Sequence, residues 1–186
     1  MQNSLHQKTK LYKAVDIMNI KAIRKLNKTI STELGRFGIH SAKVANDWCY
    51  YPTKERIDFK IEETTEDKIF MDFVKERFGF QDKNYSFILS ILHEVGHHKT
   101  IEDIDGYIYN FCEDEKARIV QEMQNVTDLK TARILEYQYF SLPDEIVATA
   151  WAIDFIKAHP RIVKKMQKKF SIAILQYWLE CAADTI

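Results

Sequence analysis

From Leu11 to about Leu34, apolar residues recur every three or four positions: Ala14, Val15, Ile17, Met18, Ala22, Ile23, Leu26, Ile30 and Leu34. That spacing marks one buried face of a long helix, and Gly35 and Gly38 follow where such a helix should stop. The period then changes. In "KVANDWCYYPTKERIDFKIEET" two aromatic or β-branched runs flank Pro52-Thr53-Lys54, and Ile57, Phe59 and Ile61 alternate with charged residues. This predicts a β-hairpin whose second run is half exposed. Thr65, Glu66 and Asp67 open a helix through about Phe78, which Gly79 ends.

A helix from about Tyr85 to His98 comes next, and Phe87, Ile88, Leu89, Ile91 and Leu92 cover most of its circumference, so it should be central. A further helix begins near Tyr107 or Glu113 and runs to Gln124, and residues 125–141 carry a weaker pattern. Leu142-Pro143-Asp144-Glu145 reads as a helix start, with proline in the first turn and acids where the macrodipole favours them. That helix should reach Ala158, where His159-Pro160 breaks it. A last amphipathic helix follows, basic in its first half, where its lysines read as a solvated face. The result is an α+β chain, mostly helical, with a small sheet or hairpin ahead of the helix at 85–98. It reads as one domain over 1–186: a helical arm at 1–40, the sheet and central helix at 41–100, and a helical part at 101–186.

Composition narrows the possibilities. The 186 residues suffice for one core, and 46% apolar content argues against disorder. Lys+Arg and Asp+Glu balance at 27 each, so no nucleic-acid partner is expected. No apolar run is long enough for a membrane span, and "MQNSLHQKTKLYK" is polar where a signal peptide carries its hydrophobic stretch, so a cytoplasmic protein is expected. Cys49, Cys112 and Cys181 are widely separated and read as buried, inert thiols.

The chemistry lies in His93-Glu94-Val95-Gly96-His97, a match to H-E-x-x-H. Chance would give about 0.01 such matches in a chain of this composition. On a helix, residues four apart share a face one turn apart, so both imidazoles can close on one metal ion. Glu94 sits one residue round, able to reach a water without becoming a ligand. His98 points about 100° away from His97 and reads as a surface or supporting residue. Two histidines leave zinc short of a third protein ligand. Glu145 is the best source: Ile146, Val147, Ala150, Ile153 and Phe155 can pack, while Ala148, Thr149 and Ala152 on its own side let a second helix come close. Asp144, Glu113 and Glu115 are alternatives.

With these residues in view, "HEVGH" and the downstream Glu145-x-x-Ala148-Thr149-x-Trp151-Ala152-x-x-Phe155-Ile156 resemble the ImmA/IrrE-like zincin metallopeptidases, whose pattern is H-E-x-G-H followed by E-x-x-A-[ND]-x-F-A. The resemblance covers mainly the two motif helices, with the hairpin before them. It implies a zinc metallopeptidase in which His93, His97 and Glu145 bind Zn²⁺ and Glu94 is the general base. Thr149 stands where the family has Asn or Asp, Trp151 where it has Phe, and a helical segment around 107–140 lengthens the gap between the motifs. A threonine hydroxyl can still hydrogen-bond a ligand histidine.

The expected reaction is hydrolysis of a peptide or protein substrate, which would lie extended against the hairpin edge at Arg56–Glu62. Tyr107, Tyr109, Tyr137, Tyr139 and His159 can donate to the oxyanion. The alternative is a catalytically weak or inactive zincin-fold regulatory protein acting through protein–protein contacts.

Overall fold

The computed structural model describes residues 20–81 and 86–183. The part of the N-terminal helix expected before Ile20, and Tyr85, lie outside the described residues. The described part of that helix, α1 (Ile20–Leu34), buries Ala22, Leu26, Ile30 and Leu34. A 3-10 turn at Gly35–Phe37 follows, and Gly38 closes it at φ 88°, a backbone that an L side chain resists.

Three short strands come next: β1 (Ser41–Val44), β2 (Cys49–Tyr51) and β3 (Arg56–Phe59). The expected hairpin is present, with β2 antiparallel to β3 and Tyr51 opposite Arg56 across the Pro52–Lys54 turn. β1 was not apparent from the alternation. It pairs parallel to β3, Ser41 opposite Arg56, and makes the sheet order β1-β3-β2.

This order corrects two expectations. β3 is central rather than half exposed: Asp58, and Lys60 just beyond the strand, are only 7% and 5% exposed. Each is kept there by an opposite charge, Asp58 by Arg56 (Nη2 to Oδ2, 3.1 Å) and Lys60 by Glu66 (2.7 Å). Arg56–Phe59 also cannot receive an extended peptide, because both of its sides are already paired. The outer side of β1 is occupied as well, since the Ala42 N–H donates to Ser31 Oγ (2.8 Å) and the Val44 N–H to Asn27 Oδ1 (2.9 Å), both on α1. Among the described residues, no strand pairs with the outer edge of β2.

α2 (Thr65–Phe78) opens with a capping box: Thr64 N–H donates to Asp67 Oδ2 (2.7 Å) while Asp67 N–H donates to Thr64 Oγ1 (3.4 Å). Gly79, at φ 62°, ends it. α3 (Ser86–Thr100) is the central helix predicted, buried at every position from Ile88 to Gly96. The segment between the motifs forms two helices, α4 (Gly106–Met123), capped by Asp105, and α5 (Leu129–Phe140), capped by Asp128. α6 (Pro143–Ala158) starts on its proline, and α7 (Pro160–Ala183) starts on the next one.

α6 makes its main packing against α3, the most extensive helix pairing in the fold. Val147, expected to pack, is on the exposed side instead, while Ala148, Thr149 and Ala152 are buried against α3. α1 and α7 run antiparallel, joined by Lys25–Glu180 (3.0 Å) and, further along, by Lys169 with the buried Glu33. Lys169 stays solvent-exposed with the other lysines of that face while its ammonium reaches the buried Glu33. The core gathers Leu26, Ile30, Ile57, Phe59, Leu89, Leu92 and Phe170 between sheet and helices. The chain is thus mostly helical with a small three-stranded sheet. Among the described residues, no helix is long and apolar enough to cross a membrane.

Candidate metal centre

His93 and His97 lie one turn apart on α3, and their ring planes meet edge to face with centroids 4.7 Å apart. Their Nε2 atoms are 3.2 Å apart. Glu145 enters from the first turn of α6, where a carboxylate is favoured by the unsatisfied N–H groups of the helix start. Its Oε2 lies 2.9 Å from His93 Nε2, and its Oε1 lies 3.4 Å from His97 Nε2. The structure thus brings together the three residues His93, His97 and Glu145, with ligand atoms all within 4.8 Å of one another.

The closeness of α3 and α6 has a local cause. A Cβ placed on Gly96 would stand 2.3 Å from the carbonyl oxygen of Ala148, so the glycine of one motif helix fits against the alanine backbone of the other. Thr149, one residue further, aims its hydroxyl at His93 Nδ1 (3.0 Å). The hydroxyl therefore fills the supporting role that the sequence left to it. On the other side, the edge of Phe70 meets the His93 ring with centroids 5.2 Å apart. Packing and hydrogen bonding together fix the orientation of this imidazole.

The donor set fits a metal ion. In the tautomer that gives its Nδ1–H to Thr149, His93 presents a bare Nε2 lone pair to a carboxylate and a second imidazole. Electron-rich atoms at these separations repel unless a cation lies among them. Four-coordinate zinc with Zn–N bonds of about 2.0–2.1 Å holds neighbouring ligand atoms about 3.3 Å apart. The separations of His93 Nε2 from Glu145 Oε2 (2.9 Å) and from His97 Nε2 (3.2 Å) lie near that value. This buried His-His-Glu group could hold a metal ion.

The rival ligands are engaged elsewhere. Asp144 pairs with Lys116 of α4. Glu115 binds Arg118 (2.9 Å) on the outside of α4, and Glu113 approaches only Lys116, at 3.7 Å. Lys116 also reaches Glu145 Oε1 at 2.7 Å, a contact with no signal in the sequence because α4 belongs to neither motif. Burial works against charge on Lys116, yet Glu145, Tyr139 and Asp144 raise its pKa well above the ordinary lysine value. Burial raises the Glu145 carboxyl, but the neighbouring His97 and His93 rings outweigh it and hold the carboxyl well below the usual range.

These residues line a cleft of about 800 Å³ bounded by β2, α2, α3, α4, α5 and α6. Glu94 lies in its wall, and burial, reinforced by Glu145 and opposed by His93, pushes its pKa up to about 7. At another part of the wall, burial and then Glu66 push Glu136 up to about 7. Of the five expected oxyanion donors, Tyr109 and Tyr139 line the cleft. Tyr107 is 83% exposed, Tyr137 is held by Arg133 (3.3 Å), and His159 packs on Phe155. Those three are set aside.

His98 turns away from the pair, as expected, and its Nδ1 meets the Tyr50 hydroxyl at 2.6 Å, tying β2 to α3. The cysteines correct an expectation. Cys112 is buried, but Cys49 and Cys181 are only half-buried, and Cys49 faces the cleft.

Comparison of the chain with protein-family models, with curated proteins and with solved structures returns no match.

Proposed function

We propose that this protein is a zinc-dependent metallopeptidase similar to the ImmA/IrrE-like zincins. The observation that carries the reading is the convergence of His93, His97 and Glu145 on one buried point, with Glu94 in the wall of the same cleft. A zinc ion held by these three side chains would supply Lewis acidity, polarising the scissile carbonyl and acidifying water.

The remaining work belongs to the protein. Glu94 accepts a proton from the attacking water at its carboxylate and passes it to the departing amine nitrogen. The outer edge of β2, whose residues Cys49 to Tyr51 line the cleft, pairs with the backbone of an extended substrate and holds it straight. Tyr109 and Tyr139, which line the cleft, are hydroxyl donors for the developing oxyanion. Thr149 and Phe70 keep the His93 ring from turning.

Metal content tests the centre directly. Protein purified without added zinc is expected to carry one zinc per chain by elemental analysis. Glu145→Ala should lose most of it, whereas Glu115→Ala, on the outer face of α4, should keep it; the reverse pattern transfers the ligand role to Glu115. Chelation of the wild type should abolish cleavage of a broad peptide library, and added zinc should restore it. Undiminished cleavage after the metal is removed would refute the proposal.

A further inference from the structure

We propose that Lys116 is the positioning residue of the metal centre: by holding one carboxylate oxygen of Glu145 it leaves the other for the cation, so that Glu145 binds through a single oxygen and a fourth position stays open. The proposal rests on the metal-centre reading above and adds a role for the helix inserted between the two motifs.

The geometry divides the carboxylate of Glu145. Its Oε1 accepts from the Lys116 ammonium at 2.7 Å and lies 3.4 Å from His97 Nε2, and its Oε2 faces His93 Nε2 at 2.9 Å. A carboxylate beside a divalent cation can close on it with both oxygens, which would fill the position that substrate needs. A charged donor on Oε1 opposes this, because the lone pair that would make the second bond is already engaged.

Lys116 has anchors besides Glu145. Asp144, only 2% exposed, pairs with the same ammonium. Glu113 lies 3.7 Å away, and the ammonium stands 5.6 Å from the centre of the Tyr139 ring. An ammonium that merely stood in for the cation would need Glu145 as its anchor. This one has a second anchor in the neighbouring acid, and Glu145 still turns Oε2 toward His93.

Cobalt(II) in place of zinc reports the ligand arrangement, since four-coordinate cobalt absorbs visible light strongly and five-coordinate cobalt weakly. Wild type is expected to give the intense spectrum. Lys116→Met should weaken the bands at least about twofold and lower zinc affinity, measured by chelator competition, by about 10–100-fold. Lys116→Arg, which can donate to both acids, should recover most of both signals. Asp144→Asn, which keeps the ammonium but removes its anchoring charge, should shift both in the same direction by less.

An unchanged spectrum and affinity in Lys116→Met would reduce the contact to an ordinary ion pair and overturn the proposal. Tighter zinc binding would also overturn it, showing that the ammonium only competes with the cation. If wild type binds neither metal, the metal-centre reading itself fails, which is a distinct result. Circular dichroism in chelator checks folding; should Lys116→Met not fold, Asp144→Asn decides alone, and unchanged signals there overturn the proposal.

Discussion

Glu94→Gln is expected to keep its zinc and to lose peptide hydrolysis by about 10²–10⁴-fold, the usual contribution of a positioned general base. Gln preserves the size of the side chain and removes the proton acceptor, so zinc stoichiometry by elemental analysis should match wild type while turnover collapses. Retained turnover would remove Glu94 from the base role. A retained biological effect together with lost turnover would instead favour action through protein contacts.

The same substitution should act on stability in the opposite direction. Burial raises the Glu94 carboxyl in the metal-free fold from 4.5 to about 7. A folded value above the unfolded one means that the folded chain holds the proton more tightly. Wild type is then penalised progressively from about pH 4.5 upward, with the full penalty present above pH 7. Gln carries no such penalty. In chelator at pH 8.5 the variant should therefore be the more stable by about 3 kcal/mol, with the difference vanishing below pH 4.5. Denaturant melts at the two extremes measure it, and equal stability at pH 8.5 would show that Glu94 is better solvated than its surroundings indicate.

The second large effect is structural. Gly96→Ala should destabilise the fold by about 2 kcal/mol and weaken zinc binding at least tenfold. In an open helix the same change would stabilise by up to about 1 kcal/mol, since alanine is the better helix former. Here the new methyl would stand 2.3 Å from the Ala148 oxygen and 2.9 Å from its carbonyl carbon. These are backbone atoms that no rotamer change can move aside, so α3 and α6 must separate. Separation draws Glu145 away from His93 and His97, which couples stability to the metal site. Denaturant melts with and without chelator measure both effects, and a stabilised variant would contradict the close approach.

How far the site could be read in the sequence follows from how local its parts are. His93 and His97 are four residues apart on one helix, so their convergence needs only helical geometry. Glu145 was legible as an acid at a helix start with small residues on its own side, although local reasoning alone could not exclude Asp144, Glu113 or Glu115. Lys116 was not legible, because its partners are set by how α4 packs beside α6. The charges at β3 misled for a related reason. Asp58 and Lys60 alternate with apolar residues as an exposed face would, yet Arg56 and Glu66 make their burial tolerable. β1 escaped notice because a parallel strand pairs through a connection that leaves no turn signature.

The way α1 covers β1 also bears on how the protein behaves in a crowd. An uncovered sheet rim invites other chains to stack on it and begin fibrils. Here Ser31 and Asn27 seal one rim with side-chain acceptors, and the remaining rim opens into the cleft. Self-association by strand exchange on the covered side is thereby discouraged, and the strand left at the other rim lines the same cleft as His93 and Glu94.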